Sequence, residues 1–209
     1  MKVLPFTIPV PHDHSIMVQE ELLPHFYTYL HRHAEIQITW IQKGEGTLLA
    51  GNNMHVFRDG EIYIIGSNLP HLFKSDPAYF LPHSDKEVQT VTICFNPTGK
   101  LSALFALPEM KTVLAFMTQN PSGFKIPEAM YSGMVKRINT IKYSNGAEQL
   151  YSVIELLNVL TTLQNPQPLS SGSYAFSMTD PEGMRIASVY NYIVQNYSSP
   201  LTLEDVATQ

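Results

Sequence analysis

The sequence predicts a chain whose first half is mainly β and whose second half is α-helical. Up to residue 95, short alternating or β-branched segments follow one another, separated by turn signals such as Gly51-Asn52 and Asp59-Gly60. Many short strands at close spacing are typical of an antiparallel barrel or sandwich. After Asn96-Pro97 the apolar residues recur at helical spacing instead.

The predicted strands follow from local patterns. Pro5 and Pro9 place the first segment at a sheet edge, because proline cannot donate to a ladder. Gly44 and Gly46 punctuate a turn after the strictly alternating segment that ends at Trp40. The predicted strands cover residues 3–10, 36–40, 47–50, 54–57, 61–65, 71–74 and 88–95.

Three helices are predicted next. The first begins at Pro108 and has Met110, Val113, Leu114 and Met117 on one face. The second carries the stripe Met130, Met134, Ile138 and Ile141, and Asn145-Gly146 ends it. The third spans about residues 147–163, and its apolar stripe includes Leu156 and Val159, which makes it wider than one face needs. Either this helix is sandwiched inside the fold, or it shares a face with a second chain.

A change of composition follows the third helix. Residues 165–179 are rich in Pro, Ser and Gly and predict a linker. Asp180-Pro181-Glu182 has the pattern of a helix start, with an N-cap, a proline and an early acid. Thr202 and Asp205 fit a capping box that opens one more helix. Because this helix has room for only two turns, we expect the chain to be a fragment that stops just inside a second domain.

Charge and cysteine usage exclude several classes of protein. The net charge of −5 gives the chain no electrostatic reason to bind nucleic acid or an anionic membrane. The single cysteine, Cys94, excludes an internal disulfide and fits a reducing compartment. Prolines interrupt the N-terminus where a signal peptide needs an apolar run, and no apolar stretch is long enough to span a bilayer. We therefore expect a soluble, cytoplasmic protein.

One group of polar residues carries the chemistry. His31, His33, Glu35 and Gln37 all have odd numbers, so on a strand they project from one face. His71 begins a later strand and could meet them inside a barrel. Two or three histidines with an oxygen ligand suit zinc, iron or manganese. The same residues could instead line a barrel mouth and hydrogen-bond to each other or to a small ligand, and Trp40, of opposite parity, should pack against the helices.

Two stretches around these residues resemble the two motifs of the cupin fold: HRHAEIQITWIQKGEG, residues 31–46, and RDGEIYIIGSNLPH, residues 58–71. The second motif maps onto Gly60, Pro70 and His71. Counted back from Gly44, the glutamate position of the first motif falls on Gln37. The resemblance implies an antiparallel double-stranded β-helix barrel. Gln37 weakens the implied metal site, because a neutral amide is a poorer ligand than a carboxylate.

A second resemblance concerns residues 184–208. Pro200-Leu201-Thr202-Leu203 and Val206-Ala207 resemble the opening of the DNA-binding domain of AraC-type transcription regulators. Many regulators of that type have a cupin domain, helices used for dimerisation, a linker and a helix-turn-helix domain. The resemblance implies the same order here: an effector-binding barrel at residues 1–98, a dimerisation region at 99–164, a linker at 165–180 and the truncated start of the DNA-binding domain at 181–209.

The resemblances imply a ligand sensor rather than an enzyme, with no cofactor and no catalytic residue. The expected partners are a small effector, such as a sugar or another polar molecule, a second copy bound through the 147–163 helix, and promoter DNA for the longer parent protein only. From Pro181 onward there is one Arg and there are three acids, so the chain itself should not bind DNA specifically, and the DNA-binding residues are unknown. Residues 1–14 could form an arm over the barrel mouth or an ordinary edge strand. The expected ligand-binding residues are His31, His33, Gln37, His71, Tyr63 and Phe73.

The alternative function is a metal-dependent cupin enzyme, such as a dioxygenase or a sugar isomerase. It would hold its metal at His31, His33 and His71 and needs an open coordination position. A barrel filled by side chains, serving only for dimerisation, is a third possibility.

Overall fold

The structure is a computed structural model that describes residues 4–5, 14–26, 29–171, 192 and 202–207. Within these residues, two five-stranded sheets are followed by a set of helices. No helix among the described residues is both long and apolar enough to cross a membrane. The strands are β1 Leu4–Pro5, β2 Ile16–Leu23, β3 His31–Arg32, β4 Ile36–Lys43, β5 Gly46–Ala50, β6 Asn53–Phe57, β7 Ile62–Ile65, β8 His71–Ser75, β9 Val88–Phe95 and β10 Phe124–Lys125.

The two sheets are almost entirely antiparallel. Sheet A has the order β1-β3-β8-β5-β6 and sheet B the order β10-β7-β4-β9-β2. The exception is β1, which pairs parallel to β3 at the edge of sheet A, where the prolines predict an edge strand. The remaining residues of the predicted strand 3–10 lie outside the described residues. Sheets plus helices confirm the predicted fold class, a cupin-type barrel followed by an α-helical region.

Sheet B has one face toward the barrel interior and one toward the helices. Ile38, Ile64 and Ile93 belong to the apolar core that the sheet shares with the helices. Trp40 packs against the same core, as its even number predicts. The odd residues of β4 therefore point to the interior, and Thr39 and Tyr63 are direct cross-strand partners there.

The helices differ in detail from the prediction. They are α1 Ser102–Phe105, α2 Lys111–Gln119, α3 Tyr131–Tyr143, α4 Gly146–Leu160 and α5 Leu203–Ala207, with 3-10 turns at Pro77–Phe80, Pro108–Met110 and Glu128–Met130. Met110 and Val113 are buried, but Leu114 is 39% exposed, so its predicted place on the packed face is wrong. Val113, Phe116 and Met117 form the packed face of α2, and Leu114 lies beside that face.

The wide stripe of α4 packs within the chain. Leu156 and Leu160 are buried, and Leu150, Ile154 and Val159 are partly buried against the same core. The core of the same chain therefore covers the stripe, and no second chain is needed to bury it. The exposed surface of α4 instead includes Tyr151, which is 66% exposed.

Two segments behave differently from the sequence pattern. Strand β2, IMVQEELL, pairs with β9 along all its length, and its polar centre kept it from being predicted. Residues 165–171, from the predicted linker, return to the barrel, where Leu169 is 2% exposed and Ser170 is fully buried.

Thr202 and Asp205 form reciprocal hydrogen bonds at the start of α5. Asp205 Oδ2 accepts hydrogen bonds from the backbone N–H and the hydroxyl of Thr202, and the Asp205 N–H donates to Thr202 Oγ1 at 3.1 Å. This reciprocal pattern confirms the predicted capping box at the start of α5. The predicted helix start at Asp180-Pro181-Glu182 lies outside the described residues.

Candidate functional site: a histidine cluster in the barrel

Three of the predicted site residues form one cluster. His31 opens β3 and His71 opens β8, and the two are cross-strand partners. Their ring centroids are 4.4 Å apart, and those of His33 and His71 are 5.1 Å apart. His33 and His71 are buried and His31 is partly buried. Strand pairing thus brings together residues that are forty positions apart in the sequence.

The backbone fixes the orientation of each ring. Nδ1 of His31, His33 and His71 lies 3.0, 3.1 and 2.8 Å from the carbonyl oxygens of Tyr29, Glu35 and Leu69, respectively. A carbonyl can only accept, so each Nδ1 carries the proton and each Nε2 presents a lone pair when the ring is neutral. Nε2 of His71 is buried and has no hydrogen-bond partner among the described residues. An unpaired buried acceptor is costly, which marks this atom as a contact point for a ligand.

A chain of polar side chains continues from the cluster. His33 Nε2 lies 3.0 Å from Gln37 Oε1, the Gln37 amide nitrogen lies 2.8 Å from Thr39 Oγ1, and that hydroxyl lies 3.2 Å from Thr92 Oγ1. Gln37, at the glutamate position of the cupin motif, is 91% buried. This series of side chains crosses from β4 to β9 and forms the polar side of the interior. We call Gln37, Thr39 and Thr92 the polar wall.

Burial keeps the cluster uncharged. The pKa of His71 lies well below its usual value, first because burial penalises the charged form and then because His31 and His33 are close. Burial also lowers the pKa values of His31 and His33. For His33, the hydrogen bond with Gln37 and the charge of Glu35 raise the pKa, but burial has the larger effect. The cluster is therefore neutral near pH 7, ready to accept hydrogen bonds or to bind a cation.

The other two predicted residues lie on an apolar side of the same interior. Phe73 follows His71 by two residues on β8, and its ring centroid is 5.8 Å from that of Tyr63. Phe26 and Phe57 complete an aromatic group, with centroids 5.3 and 5.5 Å from Phe73. The apolar cluster that fills this side comprises Phe26, Ile41, Leu48, Ala50, Phe57, Tyr63, Ile65, Leu69, Phe73, Tyr79, Val88 and Leu169.

The donor set fits a metal ion in part. The candidate ligand atoms of His31, His33 and His71 lie within 4.8 Å of one another. Two nitrogens bound to one zinc ion can be at most about 4.2 Å apart, because each lies about 2.1 Å from the metal. The carbonyl-bound Nδ1 atoms match the outer contacts of metal-binding histidines, but Gln37 supplies no negative charge.

Sequence reasoning missed part of the polar wall. Thr92 and Cys94 pair with Thr39 and Gln37 across β4 and β9 and share their face. Burial raises the pKa of the Cys94 thiol, which keeps it protonated. The signal was present, since Thr90, Thr92 and Cys94 alternate with larger apolar residues in a strand that looked uniformly apolar.

A second concave region lies outside the barrel. A cleft of about 530 Å³ is lined by residues from the β6–β7 turn, from β10 and from the segment after α4, among them Arg58, Glu61, Lys125, Tyr131 and Gln167. The Glu61 carboxylate accepts a 2.6 Å hydrogen bond from the Tyr63 hydroxyl and pairs with Lys125. Burial and the nearby Glu61 and Glu128 raise the pKa of Tyr131 to about 12.

A sequence profile decides the family. The AraC-like ligand binding domain matches residues 15–140, which is more than half of the chain and includes the histidine cluster and the polar wall. The chain belongs to this family. A comparison with curated proteins gave no match.

Two solved structures resemble this chain at low sequence identity. The AraC-like transcriptional activator CuxR is 10% identical, with a TM-score of 0.50, over 92% of this chain and 65% of CuxR. ToxT from Vibrio cholerae O395, bound to (E)-4-(8-methylnaphthalen-1-yl)but-3-enoic acid, is 11% identical, with a TM-score of 0.45, over 93% of this chain and 71% of ToxT. At these identities the likeness concerns the fold alone.

Proposed function

We propose that this chain is the ligand-sensing and dimerisation part of an AraC-type transcription regulator and is not an enzyme. The family match supports ligand binding, and we propose the histidine cluster as the place for it. The observation that carries the proposal is the buried Nε2 of His71, which lacks a hydrogen-bond partner among the described residues. A ligand that donates a hydrogen bond there removes an unpaired buried acceptor.

The neutral cluster selects the chemistry of the effector. The acceptor Nε2 of His71 and the polar Gln37, Thr39 and Thr92 side chains suit a molecule with several hydroxyl groups, such as a sugar. A small organic acid would have to bring its own proton or protonate a histidine whose pKa is lowered. Tyr63 and Phe73, on the aromatic side, would contact the apolar part of the same molecule. Residues 1–14 would cover the mouth, because Leu4 pairs with His31 at the edge of the cluster.

The response requires the ligand to prefer one of two arrangements of the chain. A dimer through the exposed surface of α4, which includes Tyr151, would place two DNA-binding domains at a defined distance. The longer regulator would bind promoter DNA through its helix-turn-helix domain.

A thermal-shift panel of sugars, polyols and small carboxylic acids tests the proposal. We expect at least one hydroxylated compound to raise the melting temperature of the wild type and to lose its effect in Gln37→Leu, which removes the polar wall. The exposed Gln164→Leu variant, matched in chemistry, should respond like the wild type. A compound that stabilises all three proteins equally binds elsewhere and would contradict the proposal.

A metal-dependent enzyme is the second candidate, because the three histidines have the tautomers that metal binding needs. His31, His33 and His71 would hold the ion, and the ion would supply a Lewis acid next to the polar wall. Stoichiometric iron, manganese or zinc in the purified protein would favour it over the sensor.

A further inference from the structure

The segment after α4 joins the edge strands of both sheets. We call residues 168–171 the strap. Pro168 forms an antiparallel bridge with Phe124 of β10, and the Leu169 N–H donates to the Gly123 carbonyl at 3.1 Å. On the other side, His55 Nε2 of β6 donates to the Leu169 carbonyl at 2.8 Å. Because β6 ends sheet A and β10 ends sheet B, the strap closes the seam between them.

Side chains hold the strap in place as well. Leu169 is buried in the apolar cluster of the interior. The Ser170 hydroxyl, which is fully buried, donates to Asn52 Oδ1 at 2.7 Å. The Asn52 amide donates to Ser171 Oγ at 2.6 Å, and the Ser171 N–H donates back to Asn52 Oδ1 at 3.3 Å. One exposed asparagine in the β5–β6 turn therefore makes most of the polar contacts of the strap.

The strap lies next to the turn that carries His71. A Cβ at Gly51 would be 2.3 Å from Ser170 Oγ and 3.3 Å from Leu69 Cδ1, so only glycine allows this approach. The Gly51 N–H donates to the Pro70 carbonyl at 2.8 Å. The Leu69 carbonyl in turn accepts from His71 Nδ1. The path from the strap to the cluster therefore runs from Ser170 to the closely approaching Gly51, through the Gly51–Pro70 hydrogen bond to the turn, and from the Leu69 carbonyl to His71.

We propose that the strap is a latch that opens by local unfolding and is coupled to the histidine cluster through the turn at residues 69–71. A role of the latch in the response to a ligand rests on the proposed ligand site. A ligand that moves His71 changes the Leu69–Pro70 turn and with it the surface on which Ser170 packs. By reciprocity, opening of the strap must loosen that turn.

The latch would control the reach of the downstream chain. With the strap docked, nine residues, 172–180, separate it from residue 181, the start of the DNA-binding domain that the resemblance implies. Release back to residue 165 makes that connection sixteen residues long. The longest possible span rises from roughly 30 Å to roughly 55 Å, at about 3.5 Å per residue. Such a change alters how closely two DNA-binding domains of a dimer can be held.

Amide hydrogen exchange of the full chain without ligand tests the latch. Asn52→Ala removes the three hydrogen bonds between the Asn52 side chain and the strap. Asn52 is exposed and outside the left-handed backbone region, so alanine should be tolerated. We expect the Leu169 and Ser171 amides to exchange at least tenfold faster. The Asn68 N–H, bonded to the His33 carbonyl, and the Leu69 N–H, bonded to the Gly66 carbonyl, should exchange at least threefold faster, whereas amides in the centre of β9 should not change.

Two further variants complete the test. Ser170→Ala removes one hydroxyl without adding bulk and should give the same pattern in a weaker form. Asn158→Ala, on the exposed side of α4, should change neither set of amides. Faster exchange in the strap without a change at Asn68 and Leu69 overturns the coupling, and no change in the strap overturns the latch. Because no ligand is added, failure here differs from failure of the ligand site, which the compound panel reports.

Discussion

His33 Nε2 and Gln37 Oε1 lie 3.0 Å apart although His33 Nδ1 already faces the Glu35 carbonyl. Two acceptors can form this contact only with a proton between them. Either His33 is protonated on both nitrogens, or the Gln37 amide is rotated so that its NH₂ donates to His33. Burial lowers the pKa of His33, so the rotated amide is the form expected at neutral pH. The Thr39 hydroxyl then donates to Gln37, so the hydrogen bonds run in one direction, from Thr39 through Gln37 to His33.

Loss of the Gln37 amide should destabilise the barrel. Gln37→Leu keeps the volume but leaves the His33 and Thr39 side chains without their buried partner, which costs about 1–3 kcal/mol. Urea denaturation should show this loss in the free energy of unfolding. Gln164→Leu, on the exposed segment after α4, should change it by about 0.5 kcal/mol or less. Equal effects of the two substitutions would show that the polar wall does not stabilise the fold.

Restoring the carboxylate should strengthen metal binding. Gln37→Glu adds a negative oxygen ligand beside three histidine nitrogens, so we expect zinc affinity to rise by about tenfold or more. Competition titration with a chromophoric chelator measures it. Gln164→Glu adds the same charge far from the cluster and should leave the affinity unchanged. An unchanged affinity in Gln37→Glu would mean that residue 37 does not face a metal position.

Acid should unfold the protein through the histidine cluster. The folded pKa values of His31, His33 and His71 lie below their usual value, so the unfolded chain binds more protons. Their stabilising effect is therefore complete above about pH 6.5, the usual histidine pKa, and is lost as the pH falls below it. Each histidine can contribute a slope of at most about 1.4 kcal/mol per pH unit.

Chemical denaturation between pH 5 and pH 8 measures this slope. His71→Gln should flatten it, because one proton fewer is taken up on unfolding. His83→Asn is the matched control, since His83 is exposed and its positive φ of 62° suits asparagine. If His71→Gln leaves the slope unchanged, the histidine cluster does not cause the loss of stability in acid.

The dimer should depend on the exposed side of α4. Since the apolar stripe of α4 is buried within the chain, we expect the second copy to contact Tyr151. Tyr151→Asp should shift the wild-type dimer toward monomer in sedimentation equilibrium. Leu81→Asp, at a residue that is 62% exposed in the loop before β9, should sediment like the wild type. A monomeric wild type would contradict dimerisation through this helix.

The sequence predicted the parts of the site that depend on parity. Odd numbering placed Gln37 and Thr39 on one face of β4 and Trp40 on the other, and the motif with Pro70 supplied His71. Strand periodicity alone is sufficient for this, because a strand alternates without error over a few residues. His33 lies before β4, so its place beside Gln37 does not follow from strand parity. The family profile confirmed the resemblance to AraC-type regulators.

Features that depend on tertiary packing escaped prediction. Strand β2 has Gln19, Glu20 and Glu21 at its centre, so its composition favoured a loop although it pairs fully with β9. The strap has the composition of a linker, yet the seam between two sheet edges gives Leu169 and Ser170 a buried place. In both cases the partner strand, and not local propensity, decides the structure.

The most direct test of the ligand site is the ¹⁵N spectrum of the histidine side chains. It should be recorded near pH 7 with and without the most stabilising compound of the panel. We predict Nδ1-protonated neutral rings for His31, His33 and His71, and a shift of their Nε2 signals when the compound binds. Unchanged histidine signals, together with loss of binding in the cleft variant Tyr131→Phe, would place the ligand outside the barrel and contradict the account.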